Sequence, residues 1–367
     1  MQPAEPPPPT PSPNINDQTK PVQKRLRRFI RQPEQLPSRQ ITNKGLAAVG
    51  IVERYRFIPT SLLIRLMPGD HKNNHRHLQT LFHKGLVQRF ALPRYGGPTE
   101  FIYYLDSPQS LPLLIAEGLL PNLSEAERER KEEIIRYNRQ NDYRGLHKDP
   151  SAQGKVLYIQ HELMISRFHA LLEMACRKLA GKVELEQWKQ GTELWNRIEL
   201  PKVSQDKDSN AWIEERATEW LPHRPDAFFT LYFPGYPEDK QRSHFFYEAD
   251  RGTENTTRYK LKMRAHWHFI VKRQLQRTTP CYGVHGIRAV LTESTTNQWA
   301  QNLRVAARHP VVSPKPSPLF WFTSSEVLTK PVAAGKRTIP LYLQQPEAVF
   351  KRIWADPVQE KLFNLAD

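Results

Sequence analysis

Cysteine is almost absent: Cys176 and Cys281 are the only two in 367 residues. Two thiols build neither a disulfide framework nor a four-cysteine zinc site, and such sparse usage fits a reducing cytoplasm. No run reaches the ~18 apolar residues that a membrane span requires, so no span is expected. The opening Met1-Gln2-Pro3 offers neither a basic n-region nor an apolar h-region, and no secretory signal is expected from it. Acidic residues are in deficit, with 38 Asp and Glu against 54 Lys and Arg, a formal charge of +16. An excess of this size favours a polyanionic partner, either nucleic acid or an anionic membrane. At the usual ~100 to 200 residues per domain, the length implies two domains with additions.

What is present is unevenly distributed. Residues 1–40 carry a proline cluster (Pro3, Pro6 to Pro9, Pro11, Pro13) and few large apolar side chains, so burial cannot offset their ordering entropy and a disordered tail is expected. Within it, Lys24, Arg25, Arg27, Arg28 and Arg31 surround Leu26, Phe29 and Ile30, either as a basic arm for a nucleic-acid backbone or as a solvated charge run. From 41 to 106 the pattern is three short helices and two strands. Leu46, Val49, Val52 and Tyr55 recur at helical spacing, Thr60 is placed to cap a second helix, and a third runs from about His71 to Lys84 with Gly85 as its stop. Strands at 86–92 and 99–105 flank the turn Arg94-Tyr95-Gly96-Gly97-Pro98.

Three helices followed by a basic hairpin is the order of a winged helix-turn-helix. The third helix then enters the DNA major groove with Lys72, Asn73, Asn74, Arg76, His77, Gln79 and Thr80, while Arg94 on the wing reaches the neighbouring backbone or minor groove. The competing reading makes the unit a protein-interaction module with a merely solvated helix face. His71, His75 and Asp70 lie close together, but no further ligand closes a metal shell.

Residues 107–155 read as a helical connector with a charged stretch from Ser124 to Arg139. From 156 to 330 helix and strand alternate, which predicts an α/β domain around a central mixed sheet, and 331–367 form a C-terminal extension. The predicted elements are a long helix to Ala180, a strand at 183–188, a polar looped interval, strands at 226–233 and 245–250, a basic helix from Thr253 to Leu275, a strand at 287–292, a helix at 297–308 and a strand at 319–322. Asp226 opens one strand; Glu248 and Asp250, two apart, share a face at the end of the next. Neighbouring strands would bring the three acids together, and their repulsion would be relieved by Mg²⁺ or Mn²⁺ with oxygen ligands, able to activate water against a phosphodiester. Lys260 and Lys262 on the following helix are the candidate positive partners. Acids at strand ends also simply cap helices or bind arginines.

The runs His223-Arg224-Pro225-Asp226-Ala227 and Tyr247-Glu248-Ala249-Asp250-Arg251-Gly252-Thr253-Glu254, followed by Lys262, closely resemble the replication-relaxation family of bacterial plasmids and other mobile elements. The likeness takes in Tyr55-Arg56-Phe57, Lys84-Gly85-Leu86-Val87 and Gln160-His161-Glu162-Leu163, and extends to Trp321-Phe322-Thr323. It implies a winged helix joined to a restriction-endonuclease-like domain similar to the PD-(D/E)XK nucleases, acting on double-stranded plasmid DNA in the bacterial cytoplasm with replication or relaxation proteins as partners. It matches Asp226 and Glu248 to the motif acids, puts Asp250 where the motif has lysine, assigns the lysine's role to Lys262, and makes Glu162 an additional acid. Arg251, Gly252 and Thr253 would form the turn into the helix, with Thr253 as its cap.

Two functions follow. One is a metal-dependent DNA endonuclease using Asp226, Glu248, Asp250, Lys262 and Glu162; the other is a non-catalytic replication accessory or transcriptional regulator that keeps the nuclease fold only to bind DNA. His266-Trp267-His268 also resembles the histidine pair of nicking relaxases. On the predicted helix, however, residues two apart diverge by about 200°.

Overall fold

The computed structural model describes residues 28–35, 41–94, 97–120, 123–141, 143, 146, 150–206, 209, 211–272, 282–284, 286–334, 337–359 and 361–366. Cys281, Arg273 and the tail residues Lys24, Arg25, Leu26 and Arg27 lie outside them. The N-terminal body follows signals visible in the chain. Helix α1 (Asn43–Tyr55) starts at Thr42, whose hydroxyl accepts from the Gly45 amide at 3.2 Å, and it buries Leu46, Val49, Val52 and Tyr55. β1 (Ile58–Pro59), α2 (Thr60–Leu66) and α3 (His71–His83) follow. Asp70 accepts from the Asn73 amide at 3.0 Å, so the acid beside His71 and His75 serves the start of α3. Gly85, at φ +79°, takes the left-handed conformation that ends α3. β2 (Gln88–Arg94) and β3 (Gly97–Tyr104) pair antiparallel, and β1 joins the other edge of β3.

Three local expectations are corrected here. Pro59 occupies the cap position of α2, and the Thr60 hydroxyl instead donates to the Phe101 carbonyl at 2.9 Å. Asn74 is buried rather than offered to DNA, its amide donating to the Ile64 carbonyl at 3.0 Å across the α2–α3 turn. Residues 28–35 pack on the body: Arg31 pairs with Asp106 at 2.8 Å, the Gln32 amide donates to His83 Nδ1 at 3.1 Å, and Phe29 meets Phe101 edge-on. One aromatic contact and one anchored ion pair supply the burial that the tail composition by itself lacked.

The connector holds α4 (Ser110–Ala116) and α5 (Glu125–Gln140), the latter opened by a reciprocal Ser124–Glu127 capping box. Tyr143 packs against Phe57 and Tyr104, at 5.4 and 5.1 Å between ring centroids, which ties connector to hairpin. Helix α6 (Gln153–Lys178) then runs through the molecule's main core. Leu63 and Leu66 of α2 share one apolar cluster with Phe168 and Leu171 of α6 and with Phe229 and Tyr247 of the central sheet. The core is therefore continuous across the connector.

The central sheet takes β4 (Glu184–Gln190), β7 (Ala227–Tyr232), β8 (Arg242–Asp250), β9 (Ala289–Ser294), β10 (Phe320–Ser324), β13 (Trp354–Ala355) and β14 (Leu362–Phe363), in the order β14-β13-β10-β9-β8-β7-β4. β8, β9 and β10 are mutually parallel and the outer pairings are antiparallel, the mixed sheet expected. Every residue of β9 and β10 is buried, as parallel strands covered on both faces require. α6 covers one face; α7 (Thr256–Val271) and α8 (Asn297–Ala306) cover the other through Met263, Phe269 and Leu303.

Two larger features differ from expectation. The interval between β4 and β7 is not a loop but a long hairpin, β5 (Asn196–Gln205) paired with β6 (Trp212–His223), lying on α7. Its polar residues concealed the strands because only one face is covered. Beyond 330, a hairpin of β11 (Pro331–Ala334) with β12 (Arg337–Pro340) and a short helix, α9 (Leu341–Gln344), lead back to β13 and β14, so the C-terminal extension completes the sheet. No helix among the described residues is long and apolar enough to cross a membrane.

Candidate active site

The strand register gathers the acids. β7 and β8 are neighbours, with Ala227 opposite Tyr247, so Asp226 meets the end of β8. Its backbone amide donates to the Tyr247 carbonyl at 3.2 Å, and its Oδ2 accepts from the Ala249 amide at 2.8 Å. His161 of α6 reaches the same Oδ2 at 3.2 Å. Glu248, buried on β8, lies near enough to Asp226 for the two acids to act on each other. The Lys262 ammonium of α7 forms an ion pair with Glu248 Oε2, and His266 Nε2 lies 2.6 Å from Glu248 Oε1. His223 Nε2 in turn lies 3.0 Å from His266 Nδ1.

Burial and charge set the protonation of this cluster. Burial opposes ionisation of Asp226, but Lys262, His161 and the Ala249 amide together hold its carboxyl below the usual carboxylate range. Glu248 is pushed well above it by burial, with Asp226 adding to the rise and Lys262 opposing. Burial would lower Lys262, yet Glu248 and Asp226 outweigh it and hold the ammonium charged. His266 is lowered to about 3 by burial and by Lys262, and is therefore neutral. Its two ring nitrogens link Glu248 to His223.

The sequence-selected residues divide. Asp226, Glu248 and Lys262 come together. Asp250 does not join them: its Oδ1 accepts from the Gly252 amide at 2.6 Å and from Trp299 Nε1 at 2.7 Å, closing the turn after β8. Convergence of three acids is thus replaced by convergence of two, and no group of three or more His, Cys, Asp or Glu among the described residues is arranged to hold a metal. Glu162 is buried, with Oε2 lacking a hydrogen-bond partner and Arg56 at 3.9 Å; burial raises its pKa, and Asp226 is near enough to add to the rise. Arg251 donates to the Leu157 carbonyl at 2.9 Å and also to the Gln160 side chain, so the turn is fastened to α6. Gly252 adopts φ +73° as the turn needs, but the α7 cap is Asn255, accepting from the Arg258 amide at 2.8 Å, because the chain runs three residues past the glycine before coiling. Arg264, also on this basic helix, is buried on Glu219 and the Pro201 carbonyl rather than displayed.

On α3, Lys72, Asn73 and Arg76 are exposed and Gln79 and Thr80 half-buried, forming one stripe along the helix. Arg94 pairs through its backbone with Gly97; its side chain lies outside those described.

His161, His266, His223 and Arg56 were not selected from sequence. A signal existed for one: Lys262 and His266 are four apart on a helix and so share a face. His161 and Arg56 carried none of that kind and stood only within the runs that bear the family resemblance, because each arrives from an element remote in the chain. Arg56 is the one non-glycine residue among those described with positive φ, at +60°, and its guanidinium donates to the Gln190 carbonyl at 3.0 Å at the end of β4.

Fold and site together define a mixed α/β protein with a buried carboxylate–lysine cluster at adjoining strand ends. Residues 50–283 match the replication-relaxation family, and the chain belongs to that family. The matched region contains both acids and Lys262 and stops short of the Trp321-Phe322-Thr323 run. No curated protein and no solved structure gives a significant match.

Proposed function

We propose that this protein binds duplex plasmid DNA through α3 and hydrolyses phosphodiester bonds at the Asp226–Glu248–Lys262 cluster, in replication or relaxation of a mobile element. The observation carrying the reading is the Lys262 ammonium seated on Glu248 beside Asp226. A lysine borne on α7 thereby supplies the positive charge that the strand, with Asp250 in place, does not. Asp226 and Glu248, with the buried carboxyl of Glu162 near Asp226, are oxygen donors of the kind a hard divalent cation prefers. Asp226 and Glu248 would hold Mg²⁺ or Mn²⁺, which when bound neutralises the acids and lowers the pKa of a coordinated water. Lys262 would stabilise charge on the scissile phosphate, and His266 would hold Glu248 in place. The order of three helices and a hairpin supports reading the N-terminal body as a winged helix-turn-helix, with the α3 stripe toward the major groove and Arg94 at the wing.

Asp226→Ala and Glu248→Ala are expected to abolish Mg²⁺- or Mn²⁺-dependent nicking of supercoiled plasmid while duplex affinity is unchanged. Clean wild-type protein that leaves plasmid intact would sink the catalytic role. One observation favours the second reading, a non-catalytic DNA-binding accessory or regulator: Glu248 is already engaged by both Lys262 and His266, and Asp250 is committed to Trp299. The plasmid assay separates the two.

A further inference from the structure

The base of the β5–β6 hairpin presents two tryptophans to solvent, Trp220 on β6 and Trp195 immediately before β5. Trp195 is 51% and Trp220 56% exposed, large values for side chains that normally bury most of their surface. The register places them on one face. Arg197 lies opposite Pro222 and Glu199 opposite Trp220, while Ile198, Leu200 and His223 point the other way into the core against α7. Each tryptophan carries a guanidinium: Arg224 lies 4.7 Å from the Trp195 ring centre and Arg197 lies 5.8 Å from that of Trp220. The outer face at the hairpin base is thus two Trp–Arg pairs, with Glu199, held by the Thr218 hydroxyl at 2.7 Å, as the acid among them.

The opposite, inward face of the hairpin base reaches the acid cluster. Arg224 faces outward two residues before Asp226, and His223 immediately before it is turned inward onto His266. Exposed indole faces bordered by arginine suit ligands that offer flat aromatic surfaces and phosphates together. In duplex DNA the base faces are covered by their neighbours, so only unstacked bases fit.

We propose that Trp195, Trp220, Arg197 and Arg224 form a stacking platform for single-stranded DNA, so that the substrate of the acid cluster is DNA carrying an unpaired segment. The identification of that substrate rests on the nuclease reading; the platform itself does not. The basic character of the chain and the arginine on each indole favour a nucleic acid over a protein on this face.

Binding of the full chain to a labelled oligothymidine and to a duplex of equal length, measured in EDTA, tests the platform without any cleavage. The wild type is expected to bind the single strand with quenching of tryptophan fluorescence. Trp195→Ala and Trp220→Ala should each weaken that binding about tenfold and leave duplex binding unchanged. Trp195→Phe and Trp220→Phe, which keep an aromatic face, should stay close to wild type and so distinguish stacking from loss of fold. Equal loss on both ligands, no loss on the single strand, or a wild type that ignores single strands would overturn the proposal. So would a change confined to self-association, which would assign the face to a protein contact. Because no metal is present, failure of the plasmid assay leaves these results intact, and failure here leaves the plasmid assay intact.

Discussion

A lysine between two buried carboxylates governs the site at the scale of single residues. Removing it as Lys262→Met leaves the buried Glu248 without its cation and Asp226 with His161 alone, and breaking a buried pair in this way costs about 3–5 kcal/mol. The variant is expected to melt well below wild type and to regain more stability from millimolar Mg²⁺ than wild type gains, because the ion takes the place of the ammonium. Thermal scans with and without Mg²⁺ check this; a variant indifferent to Mg²⁺ would argue against metal at the two acids. Away from the site, His169 is buried between Tyr55 and Trp188, its ring 4.1 Å from the indole, and burial followed by Arg54 holds its pKa well below the ordinary value. A depressed folded pKa means that the unfolded chain takes up more protons below about pH 6.5. Its contribution is therefore intact above that pH and is lost as the pH falls toward the folded value. His169→Phe is expected to flatten the decline of melting temperature between pH 7 and pH 5, as calorimetry across that range would show.

Individual elements carry different shares of this design. Helix α3 turns Leu78, Leu81 and Phe82 inward and leaves Lys72, Asn73 and Arg76 in solvent, a division that needs nothing beyond helical spacing. If the outer stripe meets phosphate, Arg76→Ala should weaken duplex binding and lower the slope of log affinity against log salt by about one. A salt titration gives both numbers, and unchanged affinity would make the helix a protein-contact surface. Helix α7 behaves otherwise. Its basic residues look like one block in the sequence, but Lys262 is spent on Glu248 and Arg264 on Glu219, leaving Arg258 and Lys272 outside. Bulk charge was a poor guide to which face bears it.

Over the whole molecule, one core spans the N-terminal body, α6 and the sheet, so the pieces are not independent beads. The C-terminal strands belong to it. Trp354 of β13 is fully buried, meeting Phe168 edge-on, and Trp321 of β10 stacks on Phe363 of β14. A chain ending at residue 330 would uncover β10 as a free edge and strip the Phe168 side of the core. It is expected to lose its cooperative thermal transition, as circular dichroism would register; a truncated protein melting like the full chain would show that β13 and β14 are dispensable.

The sequence by itself determined the local elements and the identity of the acids. Helical spacing, Gly85 as a stop, the Pro-Asp at 225–226 and the Glu-x-Asp at 248–250 are all short-range patterns, and each element formed near its expected place. Partnership was decided only by the tertiary structure. Strand register brought Asp226 to Glu248, the tight turn at Gly252 drew Asp250 away to Trp299, and α6 delivered His161 from 65 residues upstream of Asp226. The hairpin bearing Trp195 and Trp220 stayed hidden because a strand with one solvated face is polar in composition. Local propensity acts over a few residues, whereas a site depends on the packing of elements whose separation along the chain leaves no trace in spacing.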